Sequence, residues 1–362
     1  MRIGLFGGSF DPIHYGHLHI ANCAINTLKL DELWFIPVLN NPFKNEKTAS
    51  ANECESMIQL AIAHEPRFKI CDIELKADPY TKSYTYHTLL KLHQLYPDDE
   101  FYYLIGDDQA NAFNRWYQAD KLPELATFVC FPRTGYSLAS KNIETYSMLR
   151  IECDPMEVSS SAIREGNFNH AIPDVVQYFT MKGLYLNSIV KRYMSSKRYQ
   201  HTCSMAKIAI DIAKSNHLDE TKAYVAGMLH DIAKEMDEKQ ATTIMEHDYS
   251  EHLNTPRAVW HQWLSAYLAK TVFYIDDQEI LQAITNHTTA NVPMSSLDKC
   301  IYCADKYDPF RGFDSSKEIA LCKENLDEGF KQSLIDFVNF SKKKHRSIDP
   351  CFDKVYKEYV KK

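Results

Sequence analysis

Two sets of residues in this 362-residue chain have types and spacings suited to chemistry, the first to binding phosphate and the second to holding a metal ion. The first is Gly7-Gly8-Ser9-Phe10-Asp11-Pro12-Ile13-His14-Tyr15-Gly16-His17. Arg2-Ile3-Gly4-Leu5-Phe6 before it reads as a buried strand; Leu18, Ala21, Ile25 and Leu28 after it form an apolar stripe at helical spacing. His14 and His17 therefore share one face of a helix's first turn. Free backbone N–H groups and the positive dipole end favour an anion there. Gly7, Gly8 and Gly16 omit side chains where a phosphate would touch backbone. Either histidine alone would read as a packed or capping residue, but the whole run reads as a phosphate-handling site. It is neither a Walker loop, lacking Gly-Lys-Ser/Thr, nor the dinucleotide fingerprint, whose glycine spacing differs. The second set is His201, His230-Asp231, His261, His287 and Asp305. Imidazole and carboxylate are ligands for iron, manganese or zinc. A lone buried carboxylate is costly, so a His-Asp dyad in the apolar helical stretch Ala226–Ala233 implies partners. His217, His247, His252 and His345 read as surface.

The first set needs a strand-and-helix frame. Leu33–Val38, Phe68–Ile73, Phe101–Ile105, Phe128–Phe131 and Met148–Cys153 read as further strands, with helices between. That alternation predicts an α/β doubly wound parallel sheet. Ligands of such sheets bind beyond the strands' C-terminal ends, which selects several loops. Lys44 follows the second strand and is a candidate phosphate contact. Gly106-Asp107-Asp108 follows the fourth and is suited to ribose hydroxyls, a metal ion or helix capping. Ser159, Ser160 and Ser161 with Arg164 supply hydroxyls and a guanidinium at a helix start, again anion-binding chemistry. After Leu184-Tyr185-Leu186 the alternation stops and the chain reads as all-α, placing a domain boundary at 186/187.

The Gly8–His17 run resembles the nucleotidylyltransferase family with its His/Thr-x-Gly-His pair. More narrowly, residues 1–186 resemble nicotinate-nucleotide adenylyltransferases. Ile36-Pro37 with Asn41-Pro42-Phe43-Lys44, Ser83-Tyr84-Thr85, Ile105-Gly106-Asp107-Asp108, Trp116 and Ser159-Ser160-Ser161-Ala162-Ile163-Arg164 are the matching pieces. The resemblance implies that His14 and His17 stabilise charge as the α-phosphorus of ATP is attacked, with magnesium present. It implies that Gly7, Gly8, Ser9, Phe10, Lys44, Gly106, Asp108, Arg133, Ser160, Ser161 and Arg164 hold the nucleotide. Ser83, Tyr84, Thr85 and Trp116 would face nicotinate mononucleotide. Phe43 stands where the family has His, and His87 where it has Asp.

The second half resembles the HD superfamily, and within it the small bacterial proteins that hydrolyse diadenosine tetraphosphate symmetrically. Lys197–Thr202, Leu229–Lys234, Ile284–Thr289 and Ile301–Lys306 with Arg311 carry the likeness; Gln262-Trp263 replaces the usual Gly-Pro after His261. It implies two transition-metal ions, iron foremost. His201, His230, Asp231 and Asp305 would hold one; Asp231, as a bridge, His261 and His287 the other. Lys234 and Arg311 would neutralise polyphosphate. The alternatives are nicotinamide mononucleotide as acceptor, and an HD half that is another nucleotide phosphohydrolase or a non-catalytic nucleotide sensor. A net charge of −7 argues against a nucleic-acid partner. No apolar run reaches membrane-spanning length and no signal peptide opens the chain, so a cytoplasmic protein is expected. Its ten cysteines are expected as reduced, buried thiols, with Cys300 and Cys303 in helix packing. Oligomeric state stays open.

Overall fold

The computed structural model describes residues 1–38, 48–76, 83–132, 140–344 and 350–361. Lys44 and Arg133 lie outside them. The chain forms two compact units, Met1–Val175 and Val176–Lys362.

The first unit carries strands β1 (Arg2–Gly8), β2 (Glu32–Pro37), β3 (Phe68–Ile70), β4 (Glu100–Gly106), β5 (Thr127–Phe131) and β6 (Leu149–Arg150). Between and after them come helices α1 (Tyr15–Leu28), α2 (Ala51–Ile62), α3 (Thr85–Leu95), α4 (Asp107–Asn111), α5 (Ser140–Thr145) and α6 (Ser160–Arg164). The strands pair in parallel, in the order β3-β2-β1-β4-β5-β6. This is the doubly wound sheet expected from the alternation. Ile3, Leu5, Phe35, Ile36, Val129 and Cys130 are fully buried, as in a parallel sheet covered on both faces. The chain winds outward from β1 through β2 to β3, then returns to lay β4 on the other side of β1. Strand order therefore reverses between β1 and β4. The crevice beyond their C-terminal ends, beside Gly7, Gly8 and Gly106, is where such a sheet binds ligands.

Helix α7 (Pro173–Met181) spans the division between the units. Among its described residues the second unit has only helices: α8 (Leu186–Ile189), α9 (Ser196–Ser215), α10 (Glu220–Leu229), α11 (Glu238–Asp248), α12 (His261–Thr271), α13 (Gln278–Asn286), α14 (Ser296–Lys306), α15 (Ser316–Glu324), α16 (Leu326–Lys343) and α17 (Pro350–Val360), with short 3₁₀ turns between some of them. Helix α9 buries Met205, Ala206, Ala209, Ile212 and Ala213 along one stripe. Asp219 starts α10 by accepting from the backbone N–H groups of Thr221 and Lys222. The two helices meet closely at Gly227, where a Cβ would lie 3.0 Å from the Ala206 Cα. No helix among the described residues is long and apolar enough to cross a membrane.

The cysteines need a correction. Cys23 on α1 and Cys153 after β6 form a disulfide, 130 residues apart in sequence. Other described cysteines, Cys300 and Cys303 among them, are free thiols. Separate apolar surroundings for each cysteine gave no sign that packing α1 beside the segment after β6 joins two of them.

Candidate active sites

In the first unit a cavity of about 660 Å³ opens beyond β1 and β4, within the range of small-molecule sites. It gathers the β1 turn, the first turn of α1, the start of α4 and the start of α6: Gly7, Gly8, Ser9, Phe10, His14, His17, Gly106, Asp108, Ser160, Ser161 and Arg164 all line it. The histidine rings stack with centroids 3.8 Å apart. The His14 backbone N–H donates to His17 Nδ1 at 3.2 Å. A nitrogen that accepts carries no proton in the neutral ring, so the proton of the His17 ring sits on Nε2. Phe10 holds that ring from the side, with centroids 5.1 Å apart. Phe10 is itself 2% exposed and adopts φ +47°. It is the floor under His17 rather than a free stacking ring. At Gly16 a Cβ would come within 2.7 Å of Val158 and 3.0 Å of the His14 ring, so a side chain there would push Val158 and His14 aside.

Arg164 and Asp11 brace the cavity. An Arg164 Nη donates to the Asp11 carbonyl oxygen, and the Asp11 carboxylate accepts from the backbone N–H groups of Thr48 and Ala49 at 3.1 and 3.2 Å. The Ser160 hydroxyl donates to the Pro12 carbonyl at 2.8 Å, and Ser159 caps α6 through Ala162 N–H. The serines thus tie α6 to the β1 turn while lining the cavity. Ser83, Tyr84, Thr85 and Trp116 are not among its lining residues. Tyr84 packs on Tyr117, and Trp116 stacks on Phe113 with centroids 5.1 Å apart, against the core. Asp11 was overlooked at the sequence level, although it lies inside the glycine-histidine run.

In the second unit the named residues converge from five places. His201 sits in the second turn of α9; His230-Asp231 lies just past the end of α10, not within the helix as expected. His261 opens α12, His287 closes α13 and Asp305 is near the end of α14. The Asp231 carboxylate has two faces. Its Oδ2 is 4.0 Å from His201 Nε2 and 3.5 Å from His230 Nε2; its Oδ1 is 3.3 Å from His261 Nε2 and 3.6 Å from His287 Nε2. Asp305 stands 3.2 Å from His201 and 3.9 Å from His230. The opposite ring nitrogen, Nδ1, is engaged in every histidine. That of His230 contacts the Gly227 carbonyl at 2.7 Å, that of His287 the Ile284 carbonyl at 2.6 Å, and that of His261 the Ala258 carbonyl at 3.0 Å. That of His201 contacts Asp308 at 2.5 Å. Carbonyls only accept, so Nδ1 of His230 and of His287 holds a proton and Nε2 of each faces the centre.

Electrostatics keep the rings of His261 and His287 neutral, whereas His201 is held protonated by its carboxylate neighbours and would give up a proton to a metal ion. Burial, then the neighbouring His287, pushes His261 down to about 2, and burial lowers His287 as well. Burial opposes charge on Asp231, yet His230 and His287 hold it well below the carboxylate range. Lys306 and Arg311 do the same for Asp305. Burial also opposes charge on His201, but Asp305 and Asp308 raise it to about 9. The residues fit divalent cations. His230 Nε2 is buried without a hydrogen bond between two ionised carboxylates, a cost that a metal ion would remove. Two ligand sets, His201/His230/Asp305 and His230/Asp231/His287, each bring donor atoms within 4.8 Å of one another.

Cations surround this centre. Arg198 donates to Asp231 Oδ2 at 2.6 Å, and Arg311 to Asp305 Oδ1 at 2.5 Å. Lys306 lies 3.3 Å from Asp305, and Lys234 Nζ is 2.9 Å from His261 Nδ1. Hollows approach from two sides, one lined by Arg198, His201, Glu235 and Arg311, the other by Lys234, Trp260 and His261. Arg198, Thr288 and Lys306 lie within the stretches that carry the HD likeness but were given no role, and Asp308 was overlooked. Arg198 three residues before His201, and Asp308 three after Asp305, were the available signals.

Residues 5–166 match the cytidylyltransferase-like family and residues 198–309 the HD domain. A Mycoplasma genitalium protein named "Probable nicotinate-nucleotide adenylyltransferase/Ap4A hydrolase" is 33% identical over 341 residues, covering 92% of this chain and 97% of that protein. A Bacillus cytotoxicus "Probable nicotinate-nucleotide adenylyltransferase" is 43% identical over 191 residues, covering 51% of this chain and 98% of its own length. A Clostridium acetobutylicum crystal structure described as an HD superfamily hydrolase involved in NAD metabolism is 26% identical, with TM-score 0.42, covering 47% of this chain and 93% of that one. The chain belongs to the family that the Mycoplasma protein represents, in which a cytidylyltransferase-like domain is followed by an HD domain.

Proposed function

We propose that residues 1–186 transfer AMP from ATP to nicotinate mononucleotide, giving deamido-NAD and pyrophosphate, and that residues 187–362 hydrolyse diadenosine tetraphosphate to ADP. The reading of the first half rests on the His14–His17 pair at the mouth of β1, with Arg164 across the cavity, and on the names of the relatives. ATP enters as its magnesium complex. The acceptor's phosphate oxygen attacks the α-phosphorus as pyrophosphate leaves, with no covalent enzyme intermediate. Chemistry of this kind is positioning plus charge stabilisation. His17 Nε2–H and the N–H groups of the first turn of α1 donate to oxygens whose charge grows in the transition state. Asp11 keeps Arg164 and the β1 turn in register.

The two-faced Asp231 carries the reading of the second half. His201, His230, Asp231 and Asp305 would hold one divalent ion, with iron as the expected metal, and Asp231, His261 and His287 a second; the ions supply Lewis acidity toward the scissile phosphate. The chain's own part is to fix each imidazole through Nδ1 and to keep both carboxylates ionised. Arg198, Lys234 and Arg311 offset polyphosphate charge from the two flanking hollows. The test is product analysis with the pure full-length protein. With ATP it is expected to consume nicotinate mononucleotide at a higher kcat/KM than nicotinamide mononucleotide, and separately to release ADP from diadenosine tetraphosphate. Equal kcat/KM values would overturn the acceptor assignment. Binding of diadenosine tetraphosphate without ADP release would replace the hydrolase with a sensor.

A further inference from the structure

One cluster of metal-binding side chains lies apart from the second unit's centre and has no role in the first site as described above: His19, Cys23 and Cys153. His19 and Cys23 are four residues apart on α1, which puts them on one face of that helix. Cys153 comes from the other side, in the segment between β6 and α6. His19 Nε2 lies 3.2 Å from the Cys153 sulfur and 3.9 Å from the Cys23 sulfur. The two Cα atoms are 6.4 Å apart. Two sulfurs each about 2.3 Å from a central ion, with a nitrogen about 2.0 Å from it, describe a tetrahedral zinc site short of one ligand. His19 and Cys153 also line the nucleotide cavity. A cation here would join the helix that carries His17 to the segment that leads into Ser159–Arg164.

We propose that His19, Cys23 and Cys153 form a thiolate site for a divalent cation of the zinc class when the chain is reduced, and that the disulfide is the oxidised state of the same site. Loading forms two sulfur–metal bonds and releases two thiol protons. Oxidation by a small-molecule disulfide passes two electrons from the sulfur pair to that disulfide. Its sulfurs take up two protons and leave as thiols, the Cys23–Cys153 bond forms, and the cation departs. His19 Nε2 now contacts the Asp154 carbonyl at 2.9 Å; loading moves its proton to Nδ1 and frees Nε2 as a ligand. Three protein ligands leave a fourth position for water or for an oxygen or nitrogen of a nucleotide. The proposal is independent of which nucleotide the cavity takes.

Cobalt(II) discriminates this site from the second unit's cluster, because only thiolate ligands give a sulfur-to-cobalt charge-transfer band in the near ultraviolet. The reduced full-length protein titrated with cobalt(II) alone is expected to develop that band to one equivalent, and zinc is expected to bleach it. Cys23→Ser and Cys153→Ser should each abolish the band, while Cys203→Ser, at a half-buried free cysteine of the second unit, should keep it. Oxidised wild-type protein should show none until reduced. The Cys153→Ser protein should still bind cobalt without the band, at the histidine-aspartate cluster, and a circular-dichroism spectrum matching that of reduced wild-type protein serves as its check of folding. Absence of the band from reduced wild-type protein, or its persistence in Cys153→Ser, overturns the site.

Discussion

His17 and Asp308 show how single side chains set each site. His17 accepts from the His14 N–H, so its remaining nitrogen is oriented before any substrate arrives. His17→Ala is expected to lower kcat for adenylyl transfer by roughly 10²–10³-fold, the usual cost of removing one preorganised donor, with much less change in ATP binding. Hydrolysis by the same sample should stay at the wild-type rate, and steady-state kinetics of both reactions check the pair. Asp308 is fully buried and accepts from both His201 and the Ser204 hydroxyl. It orients a ligand without being one. Asp308→Ala should weaken metal binding about 10–100-fold, measured as bound metal per chain after dialysis against graded chelator. Asp308→Asn, whose amide oxygen still accepts from Nδ1–H, should recover part of the loss. If both variants keep full occupancy, Asp308 is only a packing residue. The histidine pair was legible in sequence because its chemistry is local, three residues apart. Asp308 was not, because its partner His201 lies 107 residues away. The Cys23–Cys153 bond, spanning 130 residues, was hidden for the same reason.

At the level of elements, histidines at helix ends form the second site. His230 and His287 follow the last residues of α10 and α13, and His261 opens α12. Their Nδ1 groups reach carbonyls three residues back, Gly227, Ile284 and Ala258. The last carbonyls of a helix lack helical partners, so His230 and His287 are oriented by their own helices, while His261 is held by Ala258 in the turn before α12 and by Lys234. An apolar stretch around His230-Asp231 reads as continuous helix, because periodicity carries little information about where a helix stops. The crossing of α9 and α10 positions this dyad. Gly227→Ala would press a methyl against the Ala206 backbone, and backbone cannot rotate away. It is expected to destabilise the second unit by about 1–3 kcal/mol. Denaturant unfolding monitored with metal retention should show both falling together, whereas unchanged stability would mean the crossing has slack. In the first unit helix α1 was readable and its stripe partly so: Ala21 and Ile25 are buried, Leu18 and Leu28 half-buried. Strand β6 was expected over Met148–Cys153 but pairs only at Leu149–Arg150, because an edge strand has one partner and little to extend it.

At the scale of the whole molecule the chain joins two units with different logic, an α/β sheet whose topology creates a crevice and a helical unit whose helix ends converge on two carboxylates. Fold class was legible throughout, as alternation and its loss are global patterns. The direction in which Trp116 faces was not: an aromatic in sequence carries no direction, and this one packs against Phe113 and the core. The central claim is that one chain holds two separate phosphate chemistries, the second centred on Asp231. Asp231→Asn keeps size and removes the charge shared between two ligand sets. The measurement is metal content together with both turnovers on one preparation of that variant. Metal should be lost from both ligand sets and ADP release from diadenosine tetraphosphate should stop, with deamido-NAD formation unchanged. Full metal content with undiminished ADP release, or loss of both activities in a folded protein, would contradict it.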